Sequence, residues 1–178
     1  MEGICMNEYE ECWIETYTGL KFHFKEPQPE EVCIEDIAHS LSLKCRYSGH
    51  CKYLYSVAQH SLHVAFLLPG ELKLSGLLHD ATEAYMPDVP RPVKVAFGLQ
   101  EFEARLWRVI AEKYGLISSR TIKEADNLML STEASQIMAN TTDWAELPKP
   151  LKYTIDYYPP EHIEELFLDC FKRYGGKE

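Results

Sequence analysis

The spacing of apolar residues changes once along this chain, and that change dictates the class of fold it can adopt. Trp13, Ile14, Glu15, Thr16 and Tyr17 precede Thr18-Gly19, and Leu20, Lys21, Phe22, His23 and Phe24 follow it. Aromatic and β-branched residues on both sides of a glycine-containing turn predict a short β-hairpin over about 13–24. Pro27-Gln28-Pro29 ends it. From Ile34 onward the apolar positions recur at about 3.6 residues, the helical period. Ile34, Ile37, Ala38 and Leu41 form a first stripe, ending near Arg46. Ser56 and Gln59 have the spacing of a capping box and predict a second helix through Val57, Leu62, Val64 and Leu67, stopped by Pro69-Gly70. Leu72, Leu77, Leu78 and Ala81 predict a third, ending before the proline-rich loop at Pro87-Asp88-Val89-Pro90-Arg91-Pro92. Phe102, Leu106, Val109, Ile110 and Tyr114 predict a fourth, closed by Gly115. Ile122, Ala125, Leu128, Ala134, Ile137 and Met138 predict a fifth, and Pro159-Pro160 opens a last one through Ile163, Leu166, Phe167 and Cys170. The expectation is a mostly α-helical bundle with a small N-terminal β-hairpin, forming one domain over residues 1–178 without repeats or linkers.

Composition narrows the class further. A chain of 178 residues, 46% of them hydrophobic, can bury one substantial core. No apolar run approaches the ~20 residues of a membrane span. The acidic N-terminus has no basic stretch followed by an apolar one, so it does not read as a signal peptide. Six cysteines occur without a C-x-x-C pair, which argues against a cysteine-rich zinc site and for free thiols in a reducing cytoplasm. With 18 basic and 28 acidic residues the formal charge is -10, which argues against a duplex nucleic acid or an anionic membrane as partner. A small anionic ligand stays compatible, because a basic pocket can sit inside an acidic envelope.

Chemistry concentrates in the histidines. His60 and His63 lie one turn apart on the predicted second helix. His79-Asp80 falls within Gly76-Leu77-Leu78-His79-Asp80-Ala81, in the middle of the predicted third. The flanking leucines require that helix to face the core, where an unpaired carboxylate is heavily penalised. A divalent cation would resolve this, since imidazole and carboxylate are its natural ligands. Neighbouring helical residues diverge by about 100°, so an ion seated between the two directions could be reached by both. His60 is the leading candidate for a further nitrogen ligand. Asp126, set among apolar residues at helical spacing, is the candidate for a second carboxylate. Singly, each of these residues is more often structural than functional; their combination carries the argument.

Three strings then resemble the HD-domain phosphohydrolases. They are Tyr55-Ser56-Val57-Ala58-Gln59-His60-Ser61-Leu62-His63-Val64-Ala65, Leu77-Leu78-His79-Asp80-Ala81-Thr82-Glu83-Ala84-Tyr85, and Asp88-Val89-Pro90-Arg91-Pro92-Val93-Lys94. Within that family the chain looks like the 5'-deoxynucleotidase branch and its phage-encoded relatives, which include dATP triphosphohydrolases. The resemblance runs from about Thr16 to Met138. It implies a divalent transition metal (cobalt, manganese or zinc) bound by His60, His79, Asp80 and Asp126. It also implies Glu83 and Asp88 as catalytic acids, Arg46 as the phosphate-binding arginine, and Lys94 as added positive charge. The deoxynucleotidase branch has a sugar-recognising tryptophan after the arginine; Tyr47 stands there in this chain. His50 and His63 match no metal ligand, and are expected to face the ligands or the substrate at most.

These residue types suit phosphate ester hydrolysis, which needs charge neutralisation, an aligned water and a protonated leaving group. A guanidinium fork grips phosphoryl oxygens in a way an ammonium cannot. The expected function is hydrolysis of deoxynucleoside monophosphates or of triphosphates such as dATP. A nucleotide-binding sensor without turnover is the alternative, and a helical scaffold without a site would leave His79-Asp80 unexplained. The expected partners are a small-molecule nucleotide and further copies of the chain, with no duplex nucleic acid and no membrane.

Overall fold

The computed structural model describes residues 12–142, 144 and 146–177. It is mostly helical with one two-stranded antiparallel sheet, as the apolar spacing predicts. Strands β1 (Trp13–Glu15) and β2 (Lys21–His23) pair with Ile14 opposite Phe22. Among the described residues seven α-helices follow: α1 (Ile34–Leu43), α2 (Val57–Leu67), α3 (Lys73–Leu77), α4 (Arg91–Ala96), α5 (Gln100–Tyr114), α6 (Arg120–Ile137) and α7 (Pro160–Arg173). Among the described residues no helix is long and apolar enough to cross a membrane. Cys33, Cys45, Cys51 and Cys170 carry free thiols; Cys5 and the acidic N-terminus lie outside the described residues.

Helix α2 is the axis of the molecule. Its Val57, Ala58, Leu62 and Ala65 belong to a core shared with α1, α5 and α7, where Leu41, Ile110 and Phe167 are fully buried. Its Val64 belongs to a second core with Met129 and Ile137 of α6 and with Tyr55. A helix apolar on both flanks is buried all round, so the polar His60 at its centre has no access to bulk water. The N-terminal cap works as its spacing predicts, with Ser56 Oγ accepting from Gln59 N at 3.1 Å. The reciprocal arm does not form, because the Gln59 amide donates instead to the carbonyl of Asp156 at 2.9 Å.

The hairpin is fastened to the bundle by hydrogen bonds and by aromatic stacking. Thr18 donates its backbone N–H and its hydroxyl to the buried Asp36 carboxylate of α1, at 2.7 and 3.0 Å. Phe22 stacks on Tyr85 with ring centroids 3.9 Å apart.

Three local expectations are corrected. The third helix stops at Leu77, and Leu78 and Asp80 adopt φ -102°, ψ 11° and φ -102°, ψ 16°. His79-Asp80 therefore occupies a turn between α3 and the 3-10 turn Ala81–Ala84, not mid-helix. The reason is local: the Gly76 carbonyl accepts the His79 ring N–H at 2.8 Å, and tighter three-residue bonds such as Ala81 N to Leu78 O at 3.0 Å replace the α pattern. Helix α1 ends at Leu43, before Arg46. From Lys44 the chain is extended, with Cys45 bridged to Ser56 and Arg46 N bonded to Tyr55 O at 2.9 Å. Finally, the proline-rich segment is not all loop. Its prolines satisfy the first turn of α4, where no backbone donor is needed.

One side chain joins these irregular segments. The Lys44 ammonium donates to the carbonyls of Glu83, Ala84 (3.0 Å) and Met86 (3.3 Å), acceptors that the short 3-10 turn leaves without partners of its own. Burial lowers its pKa, opposed by the charges of Glu83 and Asp88. Lys44→Met should strand the carbonyls of Glu83 and Met86, that of Ala84 keeping the Ser40 hydroxyl at 2.9 Å, and reduce the unfolding free energy by about 1–3 kcal/mol. Urea denaturation checks this, and a midpoint equal to that of the parent protein would mean that water serves the carbonyls as well.

Candidate metal centre and anion cleft

Four predicted ligands from three segments converge. His60 comes from α2, His79 and Asp80 from the turn after α3, and Asp126 from α6. His60 Nε2 lies 3.3 Å from His79 Nε2, 3.2 Å from Asp126 Oδ1 and 3.7 Å from Asp80 Oδ2. His79 Nε2 lies 3.3 Å from Asp80 Oδ2 and 3.9 Å from Asp126 Oδ1. Donor atoms about 2.1 Å from one ion sit roughly 3–3.5 Å apart, so this spacing suits a shared cation. His60, His79 and Asp126 form a group that could hold a metal ion.

The partners behind the imidazoles support that reading. His60 Nδ1–H donates to Glu133 Oε1 at 2.5 Å, and His79 Nδ1–H donates to the Gly76 carbonyl. Both rings are thereby fixed in the tautomer that turns an Nε2 lone pair inward, the usual arrangement behind metal-binding histidines. Two facing lone pairs flanked by carboxylates attract positive charge. Burial and Arg46 disfavour a charged His60, yet Glu133 and Asp126 outweigh them and raise its pKa to about 9. Asp126, despite its burial, is held well below the usual carboxylate range by His60 and His79. Its second oxygen accepts from Lys123 at 2.6 Å.

Glu133 is the functional residue that the sequence reading missed. It is fully buried, and its carboxylate accepts four bonds: His60 Nδ1, Tyr55 Oη (3.0 Å), Tyr47 Oη (2.6 Å) and Arg46 Nε (3.1 Å). Burial would raise its pKa, but Arg46 and His60 bring it down to about 2. A signal was present, since Glu133 follows Asp126 by two turns on the same face of α6.

The predicted anion-handling residues gather beside the cluster. Arg46, Tyr47, Asp80, Glu83, Asp88 and Lys94 all line one cavity of about 740 Å³. Although Arg46 lies on extended chain rather than a helix, its Nη1 reaches Asp80 Oδ2 at 3.4 Å. Tyr47 and Ser48 have positive φ of 56° and 52°, and Gly49 follows at 79°. Left-handed non-glycine residues are strained. Here the turn is held by the Tyr47 hydroxyl on Glu133 and by Tyr47 N donating to Asp88 Oδ2 at 3.2 Å. Glu83 is buried; its Oε1 lies 3.5 Å from Lys94 Nζ, and its Oε2 has no hydrogen-bond partner among the described residues. Burial first, then the charges of Asp80 and Asp88, push its pKa up to about 8 against Lys94 and Arg46. Lys94 also donates to Glu103 at 2.6 Å.

His63 and His50 stay outside the cluster. His63 contacts Tyr55 at 3.0 Å, and burial takes its pKa down to about 4. His50 is exposed at the mouth of the cavity.

Two outcomes are expected from this geometry. Glu133→Gln keeps an acceptor for His60 but removes the charge, so metal affinity should fall about 10–100-fold; isothermal titration with a divalent metal measures it, and unchanged affinity would reduce Glu133 to packing. In metal-free protein, folded Glu83 titrates near 8 against about 4.5 unfolded. The folded state then binds the extra proton between those values, so stability should decline as pH rises across that window. Glu83→Gln should flatten the decline in denaturation experiments run from pH 4 to about pH 9.

The chain as a whole has relatives among known proteins. No family model matches the chain. Uncharacterized protein RCAP_rcc00048 of Rhodobacter capsulatus is 37% identical over 142 residues, covering 70% of this chain and 72% of the relative. Uncharacterized protein YfdR of Escherichia coli (strain K12) is 36% identical over 166 residues, covering 89% of this chain and 93% of the relative. Identity at that level over nearly the whole of both chains means that this protein belongs to the family of Escherichia coli YfdR.

Proposed function

We propose that the protein is a metal-dependent phosphohydrolase of nucleotides, an HD-domain enzyme acting on deoxynucleoside 5'-phosphates or on triphosphates such as dATP. The observation that carries this reading is the pair of facing imidazole nitrogens that meet Asp80 and Asp126, two carboxylates that also line the cavity holding Arg46 and Glu83. His60, His79, Asp80 and Asp126 would hold a divalent transition metal, which when bound supplies Lewis acidity and a water that ionises near neutral pH.

The chain's own residues divide the remaining work. Arg46, kept charged by Glu133 and braced through Nε, offers the rest of its fork to phosphoryl oxygens. Lys94 adds a second positive charge to the same cavity. Glu83 carries a proton near neutral pH and has one carboxyl oxygen uncommitted. It is therefore assigned the proton given to the leaving oxygen. Asp88, whose Oδ2 is engaged by the Tyr47 amide, is assigned to holding the loop of Tyr47 against the cavity. Tyr47 commits its hydroxyl to Glu133, which leaves its ring for contact with the sugar.

Products distinguish the substrates. Metal-loaded protein is incubated with ribo- and deoxynucleotides at each phosphorylation level, and products are separated by chromatography. Inorganic phosphate identifies a nucleotidase and tripolyphosphate a triphosphohydrolase. Tight binding without release would overturn the enzyme reading in favour of a nucleotide sensor. Glu83→Ala should retain metal and nucleotide affinity while turnover falls about 10²–10⁴-fold, the weight of a general acid. Recovery of turnover with excess cobalt or manganese would instead assign Glu83 to orienting a ligand.

A further inference from the structure

A second cavity, of about 400 Å³, opens against the same cluster from the side of α5. It meets the first only at Asp80, Lys123 and Asp126, and otherwise has its own walls. Gln100, Glu103, Ala104 and Trp107, successive positions on one face of α5, form one wall. Ile117, in the loop before α6, and Ile122, in the first turn of that helix, line the cavity as well.

Trp107 is the unusual member. The core face of α5 is Leu106, Ile110 and Tyr114, and Trp107 belongs to neither apolar core although it is half-buried. An indole that large is normally used for packing; this one lines a cavity. Beside it, Ala104 leaves the floor open. The charge of Glu103 is met by Lys94. The two cavities differ chiefly in charge. Both have aromatic and apolar walls, but the larger adds Arg46, Glu83, Asp88 and Lys94, whereas the smaller adds Trp107, two isoleucines and the Gln100 amide and no lysine or arginine of its own. Its size falls within the ordinary range for small-molecule sites, about 300–1,000 Å³.

We propose that the second cavity binds the planar heteroaromatic base of the substrate, stacked on Trp107 while the phosphate lies beside Arg46. This rests on the nucleotide phosphohydrolase reading and adds to it where the base is recognised. Stacking on an indole suits any base, and Gln100, with both donor and acceptor, can address a base edge from the rim. The shared wall of Asp80 and Asp126 places the cluster between the two halves of the ligand.

Each cavity contains one tryptophan, Trp107 in the smaller and Trp144 in the larger, so fluorescence can locate the base. Full-length protein freed of metal with a chelator is titrated with deoxyadenosine and thymidine, which carry no phosphate. Quenching is expected in the parent protein and in Trp144→Phe, and is expected to vanish in Trp107→Phe. Ala104→Leu, which fills the cavity and leaves the reporter in place, should weaken nucleoside binding about tenfold or more. Quenching that survives in Trp107→Phe and is lost in Trp144→Phe would overturn the proposal and place the base in the larger cavity. Absence of quenching by either nucleoside in a parent protein that hydrolyses nucleotides would also overturn it. Quenching through Trp107 in a protein that hydrolyses no nucleotide would uphold the base site and reject the phosphohydrolase reading.

Discussion

The buried Glu133 carboxylate is the contact on which the rest of the site depends. It has no solvent to stabilise its charge, and it is held ionised by Arg46 and His60 together. Ion pairs inside a protein are stable only when geometry and further hydrogen bonds offset desolvation, and the Tyr47 and Tyr55 hydroxyls complete the set. The consequence is mutual. Glu133 aims His60 Nε2 at the cluster and braces Arg46 at the neighbouring cavity, so a side chain that lines neither cavity sets the position of an imidazole of the cluster relative to the arginine of the larger cavity. Removing it would leave a guanidinium without its buried counter-charge and an imidazole without its anchor.

Where the site sits follows from helix α2. Because that helix is buried on both flanks, His60 is carried to a depth that no surface helix could reach. Asp126 and Glu133 meet it from α6, and His79 and Asp80 meet it from a break in the chain. That break matters. A continuous helix would separate neighbouring side chains by about 100°, whereas the turn after Leu77 brings His79 Nε2 and Asp80 Oδ2 within 3.3 Å. Lys44, tying the backbone at Glu83, Ala84 and Met86 to the end of α1, holds the following segment in register with this turn.

Features governed by local spacing were legible in the sequence: the hairpin from alternation around Thr18-Gly19, α2 from Ser56 and its apolar run, α5 from its stripe and Gly115. The cluster of His60, His79, Asp80 and Asp126 was legible because polar residues in apolar surroundings demand an explanation. What escaped was set by contacts distant in sequence. Leu72 to Ala81 has helical spacing, yet the His79 ring and Gly76 carbonyl close a turn that periodicity cannot register. Arg46 appeared to end a helix, while pairing with the segment at Tyr55 and Ser56 draws it into extended chain. Glu133 was not singled out, because its local sequence does not set it apart from the other acids of the chain. Only the arrival of Arg46, Tyr47, Tyr55 and His60 around it, from 73 to 87 residues away, turns it into an organising charge.

The left-handed turn at Tyr47, Ser48 and Gly49 has a consequence for how the larger cavity can discriminate. A tyrosine in that conformation is retained by its hydroxyl, and the hydroxyl points into the protein, toward Glu133. What it leaves for any molecule in the cavity is the ring alone, a surface with shape and no hydrogen-bonding instruction. Trp144, its ring centroid 6.1 Å from that of Tyr47, extends the same kind of surface. At this rim the cavity sorts its contents by bulk and fit, and chemical identity must be read elsewhere.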